Sequence, residues 1–506
     1  MSSERSTGST LPSRSLFGAL VGGAWIAGLY VAEPLVGSFA VVTIAEGIIV
    51  RSPGWLSTAA ISLLGFYATP TLVAGVIGVI LGSTALAAAV RPIGPEVATS
   101  VALVAASAAL LSFFGAGEPF SVGLVGGVVV ATVPPYLVVR GRPLIRPPSG
   151  WETKSRRRFL ERVGGVSIAG IVSLVGLRVL LDRLVGRQSS ERVREPLERP
   201  VSVPEGDPRF DFDGMPSAVT APGEHYVVDI NVRPPIVDPE TWTLDVEGAV
   251  RSPYSLSYNE LVTHGESVEQ TATMVCISNQ VGGELIGTGH WVGVQLSDLV
   301  GAAEPIDGAV SVVTHAADGY DEAIPLELVE REDILIVYGM GGRTLATEHG
   351  FPARLLVPGR YGMKMTKWID RIEIRNERHE AYWAERGWDE EAIVNTMSYV
   401  RGVERDGDRV VVGGVAFGGL ETGVEEIAAV EVSVDGGGTW AEAELEGQIA
   451  AHAWRRWRYE FDDPGTGEFE AVVRAVRSDG TVQTEAETSP RPSGATGWHR
   501  RTIGPD

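Results

Sequence analysis

Hydrophobic and polar positions follow three patterns along the 506 residues. From 16 to 140 the chain is rich in Gly, Ala, Val and Leu and almost free of charge. Apolar runs at 16–32, 71–90, 97–115 and 120–140 each approach the ~20 residues a spanning helix needs. Runs at 35–50 and 56–68 are broken by Glu46, Arg51 and Pro53 and read as interfacial or re-entrant. With the later run Val163 to Leu181, residues 1–186 are expected to form a membrane region of about five transmembrane helices. Residues 187–222, rich in Glu, Arg and Pro, read as a solvated linker. Over 223–395, alternating stretches such as Trp242 to Val246 mix with short helical starts such as Ser257 to Leu261, an α+β pattern. Over 396–506, stretches such as Arg409 to Val412 and Ile427 to Val434 are separated by Asp-Gly and Pro-Gly turns, which predicts a β-sandwich.

Charge sharpens this division. Residues 1–190 carry 15 Lys+Arg and 8 Asp+Glu, whereas 191–506 carry 27 and 56. An acidic half of that size argues against nucleic acid as a partner. Lysine occurs only at 154, 364 and 367. Abundant carboxylate with few lysines looks halophilic, so the fold is expected to weaken as salt falls below roughly molar and screening is lost; thermal melts across salt concentration test this. Basic residues from Arg140 to Arg158 cluster after the fourth run and place that loop in the cytoplasm. Ser155-Arg156-Arg157-Arg158-Phe159-Leu160 before the fifth run looks like a twin-arginine export motif. Both features predict a multi-pass protein of the cell membrane with its C-terminal part on the extracellular face. No histidine precedes His225, so haem, which needs axial ligands, is not expected in these helices.

The candidate chemistry lies after 222. Cys276 is the only cysteine. It follows the apolar run Met274-Val275 and opens into the turn Val281-Gly282-Gly283, then Gly287-Thr288-Gly289-His290-Trp291-Val292-Gly293-Val294. Gly287-x-Gly289 does not continue as a dinucleotide fingerprint. A second stretch, Asp318-Gly319-Tyr320-Asp321-Glu322-Ala323-Ile324-Pro325, sets a tyrosine in a turn. The third is the densest: Glu348-His349-Gly350-Phe351-Pro352-Ala353-Arg354, then Arg360-Tyr361-Gly362-Met363-Lys364-Met365-Thr366-Lys367-Trp368. Strand, turn and basic loop suit an anionic ligand, since His, Arg and Lys donate and glycine lets backbone N–H groups approach. Two of the three lysines fall in this loop.

In this order the motifs resemble those of the sulfite oxidase family of molybdenum enzymes, over roughly residues 222–500. The resemblance implies a molybdopterin-binding catalytic domain at 223–395 and an immunoglobulin-like, dimerisation-type sandwich at 396–506. It makes Cys276 the protein ligand to the metal, a soft donor beside the dithiolene sulfurs. Tyr320 matches a catalytic tyrosine whose hydroxyl lies beside the metal. Asn231, His349, Arg354, Gly362, Lys364 and Lys367 match positions that bind molybdopterin and its phosphate. Asp229 falls where sulfite oxidases carry a substrate-binding arginine, and Val281 and Gly282 replace a further arginine pair; Arg233 or Arg360 could stand in.

The expected function is two-electron oxygen-atom transfer on a small sulfur-containing or related substrate, with electrons passed to an external carrier and a homodimer as the assembly. A sulfoxide reductase of the same family and a non-catalytic binding module are the alternatives. His452 and His499 stand apart from every motif and read as surface residues.

Overall fold

The computed structural model describes residues 11–36, 41, 44–45, 48, 68–89, 194–231, 234–462 and 468–504. The chain divides into two compact units, Met1–Ser190 and Glu191–Asp506.

In the first unit α1 (Leu11–Val36) and α2 (Ala68–Ala89) share a small core of Trp25, Leu29 and Val76 with Val41 and Ala45. Gly22 gives the close approach: a side chain there would collide with the Thr84 hydroxyl of the facing helix. Among the described residues no helix is long and apolar enough to cross a membrane. This overturns the five-helix membrane region and the multi-pass, outward-facing placement built on it. The physical reason is that an apolar run packed on a neighbouring helix has the same hydropathy as one facing lipid. The runs at 97–115, 120–140 and 163–181, Glu46 and the motif Ser155–Leu160 lie outside the described residues.

The second unit begins by lying on the strands that follow. Leu197 N–H donates to the Gly342 carbonyl at 3.1 Å, and Arg199 pairs with Glu269 at 2.9 Å. Phe210 is fully buried. Much of the segment read as a solvated linker is thus a strap, anchored by residues that composition alone counts as polar filler. Next come β1 (Thr243–Gly248), β2 (Tyr254–Ser257), α3 (Tyr258–Val262), β3 (Val268–Val275), β4 (Ile286–Gln295), α4 (Leu296–Ala302), β5 (Ser311–Ala316) and β6 (Asp321–Pro325). They are followed by β7 (Leu335–Met340), β8 (Arg343–Thr344), β9 (Arg354–Leu356) and β10 (Ile369–Arg375). One sheet has the order β2-β1-β10-β5-β6, with β1 and β10 parallel; the other is β3-β4-β7-β8, with β9 also on β7. Leu244, Val312 and Ile372 of the first sheet share one core with Trp291, Ile336 and Leu355 of the second. Strands β4 and β7 are buried on both faces, so their sequences do not alternate. Helices α3 and α4, of 5 and 7 residues, are too short to cover a sheet. With only these two of the four described α-helices, this unit is mostly β, where an α+β layering was expected.

Strands β11 (Met397–Asp406), β12 (Arg409–Phe417), β13 (Gly419–Leu420), β14 (Gly423–Val424) and β15 (Ile427–Ser433) continue the chain. Strands β16 (Ala441–Glu442), β17 (Glu444–Leu445), β18 (Arg455–Asp462), β19 (Phe469–Arg477) and β20 (His499–Ile503) complete it. Sheets β11-β12-β18-β17 and β16-β15-β19-β20 enclose Val410, Val412, Val430, Trp457 and Val473. A further core, with Val275, Ile277 and Met363 on one side and Tyr399, Phe417 and Trp454 on the other, joins this sandwich to the strands before it.

Candidate functional site

Cys276 stands one residue past β3, on that joining core. Its N–H donates to the Leu285 carbonyl and its carbonyl accepts from Asn279 N–H, at 3.0 and 2.9 Å. Asn279 closes the loop by accepting from Leu285 N–H at 3.0 Å and donating to the Tyr399 hydroxyl at 3.2 Å. Arg401 donates to the Gly282 and Gly283 carbonyls, at 2.9 and 2.5 Å. His499 packs where a side chain on Gly282 would lie, and burial lowers its pKa to about 4. His499 is therefore half-buried, and so is His452, whose carbonyl accepts from Thr273 N–H at 2.9 Å. The thiol itself is buried, 3.0 Å from the Ser278 hydroxyl, and burial pushes its pKa up. Only a cation close by would hold such a sulfur as thiolate.

The ground facing it comes from segments far apart in sequence. Gly362 packs against the Val275 carbonyl and the Tyr226 hydroxyl; a Cβ there would lie 2.9 Å from that oxygen. Tyr226 stacks on His225 at 5.1 Å, and His225 meets Trp291 and His349 edge-on at 5.9 and 5.6 Å. His349 Nε2 contacts the Pro222 carbonyl at 2.8 Å. Arg354, 4 % exposed, lies over the Trp291 ring and donates to the His349 and Met365 carbonyls at 3.3 and 3.2 Å. Among the described residues no carboxylate pairs with it, and burial lowers its pKa to about 10. Burial, together with nearby cations, depresses His349 to about 4 and His225 to about 3.

The two loop lysines are each matched to an acid. Lys364 donates to Glu322 and to the Glu390 carbonyl, both at 2.7 Å. Glu322 is 2 % exposed, and burial raises its pKa against the pull of Lys364. Lys367 donates to Asp229 at 2.9 Å and to the Glu348 carbonyl at 3.0 Å. Asn231 donates to Asp318 at 2.7 Å, and Asp318 in turn accepts from Tyr320 N–H at 3.0 Å. The Tyr320 hydroxyl donates to the Met363 carbonyl at 2.6 Å, with Glu322 at 3.3 Å.

The structure thus gathers His349 and Arg354 around Trp291, Lys367 and Asn231 around Asp229 and Asp318, and Lys364 around Glu322 and Tyr320. Gly362 lies between the Tyr226 hydroxyl and the carbonyl of Val275, the residue before Cys276. The structure does not hydrogen-bond Tyr320 to Cys276. Arg360 is spent on the Glu391 and Glu421 carbonyls, at 2.7 and 3.2 Å, and Arg233 lies outside the described residues. Sequence reasoning gave no role to His225, Tyr226 or Glu322. Glu322, a carboxylate one residue inside the short strand Asp321–Pro325 and next to Ala323-Ile324, was the one readable signal among them. A cleft of about 710 Å³, lined by Trp242, His315, Asp321 and Asp370 among others, opens beside Tyr320 and does not reach Cys276.

Two buried polar atoms of this cluster lack partners among the described residues, the Tyr226 hydroxyl and Arg354 Nε, and the Tyr226 hydroxyl lies within electrostatic reach of Cys276. Such atoms are costly to leave bare, about 1–3 kcal/mol each. These donors, with Gly362 where a side chain would intrude, fit a polar, anionic ligand.

Comparison with known proteins bears on what that ligand is. Residues 231–383 match the oxidoreductase molybdopterin binding domain. The chain is 28 % identical to sulfite oxidase of Gallus gallus over 334 residues, covering 55 % of this chain and 72 % of that protein. It is 30 % identical to the mitochondrial sulfite oxidase of Mus musculus over 302 residues, 50 % of this chain but 55 % of that protein. The sulfane dehydrogenase SoxCD of Paracoccus pantotrophus shares the fold, at TM-score 0.50 and 22 % identity over 62 % of this chain and 88 % of that one. The chain therefore carries a molybdopterin-binding domain and is a molybdenum-dependent oxidoreductase, similar over this region to sulfite oxidases.

Proposed function

We propose that the protein catalyses two-electron oxygen-atom transfer on a small sulfur-containing substrate, with Cys276 as the protein ligand to molybdenum. When bound, the cofactor supplies the redox chemistry. The protein's part is to hold and orient it. Cys276 offers a sulfur fixed by the loop bonds of Asn279 and Arg401. His349 and Arg354 offer donors to the pterin, Gly362 lets it approach, and Asn231, Lys364 and Lys367 line its anionic end. Lys364 and Lys367 would exchange a carboxylate for the phosphate as it enters. Electrons would leave to a separate carrier, and the β-sandwich would support a homodimer. The observation that carries this reading is the unpartnered Tyr226 hydroxyl, set against Gly362 and within electrostatic reach of both the buried thiol and the unpaired Arg354.

Reduction of a sulfoxide is the second reading, and Asp229 favours it. Its carboxylate, paired with Lys367, offers no cation to an oxyanion such as sulfite, and an uncharged sulfoxide needs none. Molybdenum and pterin are measured in the purified protein, and sulfite oxidation and sulfoxide reduction are assayed side by side. Cys276→Ser is expected to lose the metal and both activities while keeping the wild-type circular dichroism. Retained metal and turnover in that variant would sink the ligand assignment.

A further inference from the structure

Two buried phenols flank the site, and their hydroxyls are differently engaged. Tyr320 has its single proton on the Met363 carbonyl at 2.6 Å. That bond ties it to the turn that carries Gly362 and Lys364. Tyr226 is as deeply buried, yet its hydroxyl meets no hydrogen-bond partner. The hydroxyl lies against Gly362, whose missing side chain leaves it open, and within electrostatic reach of both Cys276 and Arg354. Its direction is fixed by packing: the ring stacks on His225, and Trp291 and His349 hold His225 from the other side. A phenol that is rigid, dry and without an acceptor is a donor awaiting one.

We infer that Tyr226, rather than Tyr320, donates the hydrogen bond to the acceptor atoms of the group held at Cys276, and that Tyr320 is a positioning residue for the Gly362–Lys364 turn. The inference rests on the proposed ligation by Cys276. Tyr226 then balances negative charge at the metal site with a proton it never has to release. Burial supports this, since it raises the phenol pKa well above its ordinary value.

The test uses the loaded holoenzyme as wild type, Tyr226→Phe and Tyr320→Phe. Each is reduced by one electron, and its paramagnetic resonance is recorded in water and in deuterium oxide. Wild type and Tyr320→Phe are expected to show splitting from an exchangeable proton, and Tyr226→Phe to lose it with molybdenum content unchanged. The melting temperature of cofactor-free Tyr226→Phe should stay level or rise, while that of Tyr320→Phe falls. Splitting that survives in Tyr226→Phe, or vanishes in Tyr320→Phe alone, overturns the inference. If Tyr226→Phe fails to take up metal, difluorotyrosine at position 226 keeps the shape and acidifies the phenol. The splitting must then disappear at lower pH, and an unmoved profile is fatal to the idea. Wild-type protein without molybdenum would count against the ligation by Cys276 instead.

Discussion

Arg456 and Arg354 are both buried arginines, one in the sandwich and one beside Cys276, and they are treated in opposite ways. Arg456 donates from Nε and Nη2 to Glu446, both at 2.7 Å, and from Nη1 to Asp211 at 2.5 Å. Backbone carbonyls of Asp207 and Pro216 take further donors. Its pKa is raised by the bonds to Glu446 and Asp211, even though burial pulls the other way. Arg354 has only two long bonds to carbonyls, none at Nε and no acid. A buried charge persists when it is paired, or when something else arrives to pair it. Arg456 joins the strap to the sandwich. Arg354 is prepared for an anion that the chain itself does not provide.

Cutting the sandwich pair should break this contrast most severely. Arg456→Met leaves Glu446 buried and uncompensated, a loss of about 3–5 kcal/mol in urea unfolding. Molybdenum per folded molecule should be unchanged; a proportional loss of metal would show that the two arginines do not have separate roles. Lys364 tests the intermediate case, a site residue already paired. Lys364→Met should cost about 3–5 kcal/mol, and adding Glu322→Gln should restore most of it. Strict additivity of the two changes would mean that the pair is not coupled. Arg354→Met should do the reverse of Arg456→Met. Removing an unpaired buried charge is expected to leave the cofactor-free protein level or more stable by about 1–3 kcal/mol, and to abolish molybdenum retention. Strong destabilisation without metal loss would make Arg354 structural.

The difference between the arginines is also a measure of what was legible beforehand. Cys276, the glycines after it and the lysine loop could be read because each is unusual in composition: a single thiol, clustered glycines, two of three lysines in one loop. The sandwich was readable as well, from short β-branched stretches set between Asp-Gly and Pro-Gly turns. Partnering was not. Nothing in Arg-Arg-Trp at 455–457 says that Arg456 reaches Glu446 and Asp211, or in Phe-Pro-Ala-Arg that Arg354 reaches no acid. Likewise Glu224 to Pro235 reads as strand-like, but its described residues form no strand, and the value of Tyr226 lies in a hydroxyl set against Gly362 without a partner. The apolar N-terminal runs misled for a related reason, since hydropathy reports that a face is apolar and not what covers it.

The smallest expected effect sharpens the comparison through pH. Arg354 helps to keep its neighbours His225 and His349 uncharged, with pKa values of about 3 and about 4 against an ordinary 6.5. A depressed histidine binds its proton more readily when unfolded. Its contribution is therefore complete above pH 6.5 and declines as the pH falls toward the folded value. Each such group should steepen acid destabilisation by up to about 1.4 kcal/mol per pH unit between 6.5 and 4. Urea midpoints of the cofactor-free protein across that range give the slope, and His349→Gln should reduce it by about one proton's worth. Arg354→Met should flatten it as well, by removing a cation that opposes protonation. Arg456→Met combined with Glu446→Gln, which removes the cation together with the buried carboxylate it pairs, should leave the slope unchanged. An equal change in both arginine variants would mean that the acid sensitivity belongs to the fold as a whole and not to a site prepared for an anion.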